Sequence, residues 1–400
     1  MRFVFLTLGY HPDLDGGGYR YATEVAERLA ARGHEVHAVY PNPRNRFPAV
    51  ETRHGVHLHR VPDGTGSFFA NWRSENTAAR AILATLLAPG QPRTLVATHQ
   101  AYFEPAARDW PTVFMYQGAW GLEYRFSQQA KPRGLPRRLL DPWIARMLHR
   151  TEARALRAAP AIFVASEYTR RRLPVWHPGV RSPVSVVSGG ANFAQFHPPA
   201  DRDALRRQWN LAPGDFLFLT VRRLDPRMGL SGLLSGFARV ANTHPHARLW
   251  LAGKGPQQGA LESEISRLGL GQAARLLGFV PEADLPGLYG AADCTLMPSL
   301  DLEGFGLATV ESLACGTPVL ASDAGANPEL VGPLSPALVY PTGQSDEPER
   351  RLGAILSGKL ALPDRTEAAR YAADNFRWDR PVDAFEGAWD LHAVNPDRTE

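Results

Sequence analysis

The sequence predicts an α/β protein of two domains, each a parallel sheet covered by helices. Three observations point there. The chain has 400 residues, 44% of them hydrophobic, which is too long for one ordinary core and suits two. Short apolar runs alternate with amphipathic stretches, the pattern of buried parallel strands joined by crossover helices. That pattern lapses over residues 192–213, where Pro198, Pro199 and Pro213 fall, and then restarts.

The first half opens with a strand at residues 2–8. Gly16, Gly17 and Gly18 then start a helix that runs to about residue 31, with Ala22, Val25, Ala26 and Leu29 on one face. Gly33 ends it, and residues 35–40 form the next strand. Residues 94–98, 112–116 and 161–165 continue this sheet. In the second half, residues 216–221 are a strand and 231–241 a helix. Residues 248–252 form a strand that runs into Gly253-Lys254-Gly255-Pro256. Strands at 274–277, 294–297 and 319–322 follow. The expected division is an N-terminal domain over 1–193, a linker over 194–212 and a C-terminal domain over 213–375. Doubly wound sheets bind ligands at the carboxyl ends of their strands, which directs attention to the loops there.

Charge and cysteines narrow the function classes. Residues 1–193 hold 25 Lys+Arg and 14 Asp+Glu, a net +11, and the remainder holds 19 and 26, a net −7. A basic half fits an anionic partner, although the chain has no nucleic-acid motif and no nucleic-acid partner is expected. Cys294 and Cys315 lie in apolar stretches and read as free thiols of a reducing compartment. The short apolar run at the N-terminus breaks at Gly9 and Pro12, so it reads as a strand rather than a signal peptide. No run of about 18 apolar residues is present. The cytoplasm is the expected location. Neither glycine loop reads G-x-G-x-x-G after its strand, which disfavours a dehydrogenase.

The segment with the most chemistry is PSLDLEGFGLATVESLACGTPVLASDAGANPELV, residues 298–331. Gly304, Phe305 and Gly306 form a tight turn after a strand, and a helix follows over about 307–314, capped by Gly316. The N–H groups of Phe305, Gly306 and Leu307 at the helix N-terminus favour an anion such as a diphosphate. Glu311, one turn into the helix, reaches a ribose hydroxyl, and Glu303, before the turn, accepts hydrogen bonds from sugar hydroxyls. An ordinary strand-turn-helix with two solvated glutamates is the competing reading of the motif alone.

This segment resembles the donor site of family 4 of the retaining glycosyltransferases, which have the GT-B fold of two facing Rossmann-like domains with a cleft between them. The likeness covers nearly the whole chain. GGGYRYATEVAERLAARGHEV resembles the family's first glycine loop and helix, and VVSGGANFAQFHP its interdomain strand. VRRLDPRMG is similar to its phosphate-gripping segment and GFVPEADLPGLYGAADC to its nucleobase segment. FRWDRPVDAFEGAW resembles its C-terminal helix, so residues 376–400 are expected to pack back toward the N-domain. The resemblance implies that Arg223 grips the donor diphosphate, that Phe279 and Val280 present backbone to the base, and that Gly17 and Gly18 let the N-domain approach the phosphates. It implies retention of configuration with no metal and no cofactor, the nucleoside-diphosphate sugar being the donor substrate.

Two departures stand out. The family usually has a lysine where this chain has Met228, which removes a charge from the diphosphate clamp. Lys254, with Arg227 beside Met228, is expected to replace it. The alternative is a nucleotide-sugar-binding protein with weak or lost catalysis. Many relatives have histidine before glycine where this chain has Gln117-Gly118. Gln117 can hydrogen-bond a sugar but is no acid or base. His99 and His11 are then the titratable candidates, His99 being counted with the catalytic set.

The acceptor, a glycan, lipid-linked sugar or small molecule, falls to the N-domain. Eight aromatics lie between Tyr102 and Phe126, and those of the loop over 117–126 can stack on a ring. Between Lys131 and Arg157 there are eight basic and two acidic residues. Leu140, Ile144, Met147, Leu148, Thr151 and Ala155 mark an inward face, and Arg146, Arg150, Arg154 and Arg157 another. A solvated surface helix and a peripheral helix on an anionic membrane both fit this pattern.

Overall fold

A computed structural model describes residues 1–14, 16–64, 66–129 and 135–394, with backbone alone described at 127–129 and 135–140. The chain divides into two compact units. The first comprises Met1–Gly121, Trp143–Gly189 and Trp378–Glu400, and the second Leu122–Pro142 and Gly190–Arg377.

The first unit is built on a sheet of strands β1 (Arg2–Leu6), β2 (Glu35–Asn42), β3 (Val50–Arg53), β4 (Val56–Pro62), β5 (Thr94–Thr98), β6 (Thr112–Tyr116), β7 (Ile162–Val164) and β8 (Val184–Val186). Their order is β3-β4-β2-β1-β5-β6-β7-β8, parallel except for β3, which runs antiparallel to β4. Every residue of β1 and β5 is buried, because helices cover both faces of the sheet. The helix Gly17–Ala31 buries Ala22, Val25, Ala26 and Leu29, the face its apolar spacing dictates. Gly33 follows it with φ 85°, a conformation that favours glycine. β1 stops at Leu6, two residues before the expected end, and Thr7 donates its hydroxyl to the carbonyl of Gly9.

The helix Asp379–His392 belongs to this unit. Its Phe385 is fully buried against Phe5, ring centroids 5.2 Å apart, and against Phe163 at 5.1 Å. Burying such a ring contributes about 2–3 kcal/mol. Trp389 donates its indole N–H to the Arg2 carbonyl at 3.1 Å. Val394 then bridges to Thr94, at 2.9 and 2.7 Å.

The second unit carries strands β9 (Phe216–Val221), β10 (Ala247–Ala252), β11 (Ala274–Gly278), β12 (Cys294–Met297), β13 (Val319–Ser322) and β14 (Val339–Tyr340). The order is β11-β10-β9-β12-β13-β14, parallel throughout. Residues 194–212 contain a short helix, Arg202–Gln208. Arg202 and Arg206 bind the Asp293 carboxylate at 2.5 and 3.0 Å, which fastens this stretch to the second unit. Both cysteines are buried and unbridged, and burial pushes their thiols up to about 12.

Candidate functional site

In the second unit, the loops after β9, β10 and β12 carry the groups singled out from the sequence. Residues 298–306 lead from β12 into the helix Leu307–Ala314. Gly306, at φ 99°, is its N-cap, and no side chain caps it. Thr309 in the first turn donates its N–H to the Gly306 carbonyl at 3.0 Å, which leaves the N–H groups of Leu307 and Ala308 to an approaching anion. Glu311 is buried on this helix and accepts a hydrogen bond from the Tyr289 hydroxyl at 3.2 Å. It does not stand in open solvent, as an incidental surface glutamate would.

Glu303 is held from all sides. Its carboxylate accepts from the Ser299 hydroxyl at 2.6 Å and from the Arg222 guanidinium at 2.7 Å. Its carbonyl accepts from the Ala326 N–H at 2.8 Å. Gly325, at φ 64°, packs so closely that a Cβ there would lie 2.2 Å from that carbonyl oxygen. Leu302 precedes it in the left-handed region at φ 55°, a strained state, and Arg227 donates to the Leu302 carbonyl at 3.0 Å. Burial works to raise the Glu303 carboxyl, but the Arg222 charge, the Ser299 hydrogen bond and Arg227 outweigh it and hold the group below the usual carboxylate range.

The remaining donor-side residues are more dispersed. Arg223 is 66% exposed, with Asp225 3.7 Å away. A solvated guanidinium of this kind is available to a phosphate and contributes little to the fold. Lys254 places its ammonium 5.0 Å from the centre of the Phe279 ring, a cation–π contact. Phe279 is 47% exposed and Val280 half-buried. Lys254 was expected to replace the charge missing at Met228, with Arg227 in support. The structure engages Lys254 with Phe279 and Arg227 with Leu302, and sets Arg222 against the Met228 sulfur at 2.7 Å.

In the first unit, Gly17 and Gly18 open the helix that follows β1. A Cβ on Gly18 would lie 3.8 Å from the Gln117 side chain, so the structure brings this pair together. The buried Gln117 Nε2 has no partner among the described residues. His99 corrects the sequence reading. It is 1% exposed, neither ring nitrogen has a partner among the described residues, and Phe5, Tyr21 and Phe385 surround it. Burial lowers its pKa to about 3, so it is a neutral core residue rather than an exposed acid or base. The backbone N–H of His11 donates to the Thr23 hydroxyl at 2.9 Å. Asp13 lies in an Asp13-Leu14-Asp15 stretch that has metal-ligand spacing. Its carboxylate is already taken by Arg53, Arg60 and Tyr40, at 2.9, 2.7 and 2.7 Å, and Asp15 lies outside the described residues.

On the helix Leu135–Ala158, Leu148, Thr151 and Ala155 are buried and Ile144 and Met147 half-buried, while Arg146, Arg150, Arg154 and Arg157 are exposed. Lys131 and the Leu140 side chain lie outside the described residues. Trp143 is 56% exposed and meets Phe69 edge-on at 5.6 Å, an aromatic patch that the sequence did not point to. No helix among the described residues is long and apolar enough to cross a membrane.

Two such parallel-sheet α/β units are the architecture of GT-B glycosyltransferases, and solved structures share this fold. A sucrose-phosphate synthase from Thermosynechococcus elongatus aligns over 98% of this chain and 99% of its own, with a TM-score of 0.80 at 22% identity. The Anabaena protein HepE, solved in complex with UDP-glucose, aligns over 98% and 100%, with a TM-score of 0.72 at 19% identity. Residues 15–195 match Glycosyltransferase Family 4 and residues 201–375 match Glycosyl transferases group 1, so the chain belongs to this glycosyltransferase family. A D-inositol 3-phosphate glycosyltransferase of Segniliparus rotundus is 33% identical over 211 residues, 50% of this chain and 45% of that protein. The chain thus spans about half the length of such curated relatives.

Proposed function

We propose that this chain transfers a glycosyl group from a nucleoside-diphosphate sugar to an acceptor hydroxyl, with retention of configuration and without a metal. The second unit binds the donor and the first binds the acceptor. The observation that carries the reading is the pairing of a fixed, ionised Glu303 with an uncapped helix N-terminus three residues on and a buried Glu311 within that helix. The helix end takes the diphosphate, Arg223 adds a mobile cation, Glu311 takes the ribose and Glu303 the sugar hydroxyls. Glu303 needs no proton to transfer. As the glycosidic bond breaks, the departing diphosphate accepts the acceptor's proton, and the helix dipole and cations stabilise its growing charge.

Gln117, whose buried Nε2 has no partner among the described residues, stands beside Gly18 and is the acceptor-side group that hydrogen-bonds a sugar. The reading without catalysis, raised by Met228, is disfavoured because Glu303 still has a cation against it. Incubation with UDP-glucose, ADP-glucose and GDP-mannose tests the proposal. One of them is expected to raise the melting temperature and to be slowly hydrolysed, and proton NMR of the first product is expected to show the donor's own anomeric configuration. Binding of none, or an inverted product, refutes it.

A second reading concerns location. The exposed arginine stripe and the Trp143–Phe69 patch suit the surface of an anionic bilayer, where aromatic rings sit at headgroup depth. Co-sedimentation with phosphatidylglycerol vesicles at low salt, lost at high salt and absent with phosphatidylcholine, is the expected result. Equal binding to both lipids, or to neither, removes this reading.

A further inference from the structure

We infer that Arg222 is a positioning residue of the donor site: it carries the positive charge the chain lacks at Met228 and fixes the Glu303 carboxylate for the transferred sugar. This rests on the donor-binding role proposed for the second unit.

Arg222 follows the last residue of β9, and its N–H still donates to the Ala252 carbonyl at 2.9 Å. Gly253 closes over it so tightly that a Cβ there would lie 1.9 Å from the Arg222 carbonyl oxygen. The backbone at 222 is therefore set by the sheet and the glycine loop together. From that anchor the side chain runs inward and is only 5% exposed. One terminal nitrogen, Nη2, meets the Glu303 carboxylate at 2.7 Å, the Ser299 hydroxyl at 2.9 Å and the Met228 sulfur at 2.7 Å. Ser299 also donates to Glu303, so the three side chains form a closed triangle. A buried guanidinium requires an anion, and a buried carboxylate requires a cation; each here is the other's partner.

Met228 explains why the cation sits at 222. Its thioether is a weak acceptor that tolerates a guanidinium against it. An ammonium at 228 would occupy the same place and face Arg222 with like charge. Positions 222 and 228 therefore hold one cation between them, and this chain puts it on the strand end. None of the other nearby cations stands against Glu303: Arg223 extends into solvent near Asp225, where a diphosphate can meet it, Arg227 donates to the Leu302 carbonyl and Lys254 lies over Phe279. The Arg222 Nε is buried with no partner among the described residues, so its N–H is left to donate. A ligand oxygen seated at Glu303 is a group of the right kind to take it.

The arrangement assigns Arg222 to the sugar rather than to the diphosphate, because it acts through Glu303. The test compares the wild type with Arg222→Met, Met228→Lys and the double variant, using whichever of UDP-glucose, ADP-glucose and GDP-mannose the wild type binds, and the matching nucleoside diphosphate. Arg222→Met is expected to weaken the nucleotide sugar about tenfold and lower kcat about a hundredfold, with the nucleoside diphosphate changed less than threefold. The double variant, which moves the cation to 228, is expected to recover at least tenfold of the lost turnover. It also guards against an Arg222→Met protein too unstable to assay. Met228→Lys alone is expected to lower turnover by crowding two cations. A double variant no better than Arg222→Met, equal losses for sugar and diphosphate, or wild-type turnover in Arg222→Met overturns the inference. Failure of the wild type to bind any nucleotide sugar overturns the donor-site reading itself.

Discussion

Glu311 gives the most direct quantitative test of the donor site. Its carboxylate is buried and one oxygen already accepts the Tyr289 hydroxyl at 3.2 Å. Replacement by alanine would orphan that buried hydroxyl, at a cost of about 1–3 kcal/mol, and would mix a folding defect with a binding one. Glu311→Gln avoids this, since the amide oxygen still accepts from Tyr289. What it loses is the charge. A hydrogen bond to a carboxylate contributes about 1.5–3 kcal/mol against about 1 kcal/mol for a neutral pair, so the loss per ribose contact is about 0.5–2 kcal/mol, or about 2- to 30-fold in Kd. Isothermal titration with the nucleoside diphosphate that most raises the wild-type melting temperature measures it. The melting temperature of the free variant should move little. A Kd within twofold of wild type, with the variant folded, would refute the assignment of Glu311 to the nucleotide.

Three further outcomes are expected. Gly325→Ala drives a Cβ into the Glu303 backbone at a left-handed position, so it should cost about 1–3 kcal/mol in urea unfolding and weaken nucleotide-sugar binding together. His99 takes up a proton near pH 6.5 when unfolded but only near pH 3 when folded, so the stability it contributes is complete above pH 6.5 and falls by about 1.4 kcal/mol per unit as pH drops through that window. His99→Leu should flatten that part of the acid limb, and an unchanged slope would contradict the core assignment. Transfer activity should survive a chelator, because no Asp-x-Asp accompanies the phosphate elements of the second unit; loss with EDTA and recovery with magnesium or manganese would contradict this.

Most strands and the two glycine-led helices were legible because their apolar spacing is regular and punctuated by glycine. The helix at 17–31 and its buried face follow from Ala22, Val25, Ala26 and Leu29, and the turn into residues 307–314 from Gly304 and Gly306. The antiparallel β3–β4 hairpin was not legible. Its residues mix His, Arg and Glu whose charges are met by partners distant in sequence, as Arg60 is by Asp13. Arg222 was hidden for a different reason. Two consecutive arginines leave a strand on opposite faces of the pleat, and nothing local tells which of Arg222 and Arg223 turns inward. His99 looked like a strand-end reactive group. Its neighbour Phe385 comes from a helix near the other end of the chain, so local sequence could not reveal its burial.

That helix has a consequence for how the protein is made. The rings that close over Phe5 and Phe163 lie after the whole of the second unit in the order of synthesis. On the ribosome, the first sheet emerges early with one flank of β1 still uncovered, and it must remain so while residues 190–377 are translated. The second unit is contiguous over that stretch and can reach its native state first. The first unit is then completed last, when Phe385, Trp389 and Val394 arrive to seal β1 and β5. A nascent chain halted before residue 378 should therefore hold a folded second unit beside an exposed apolar flank, the kind of surface that chaperones bind.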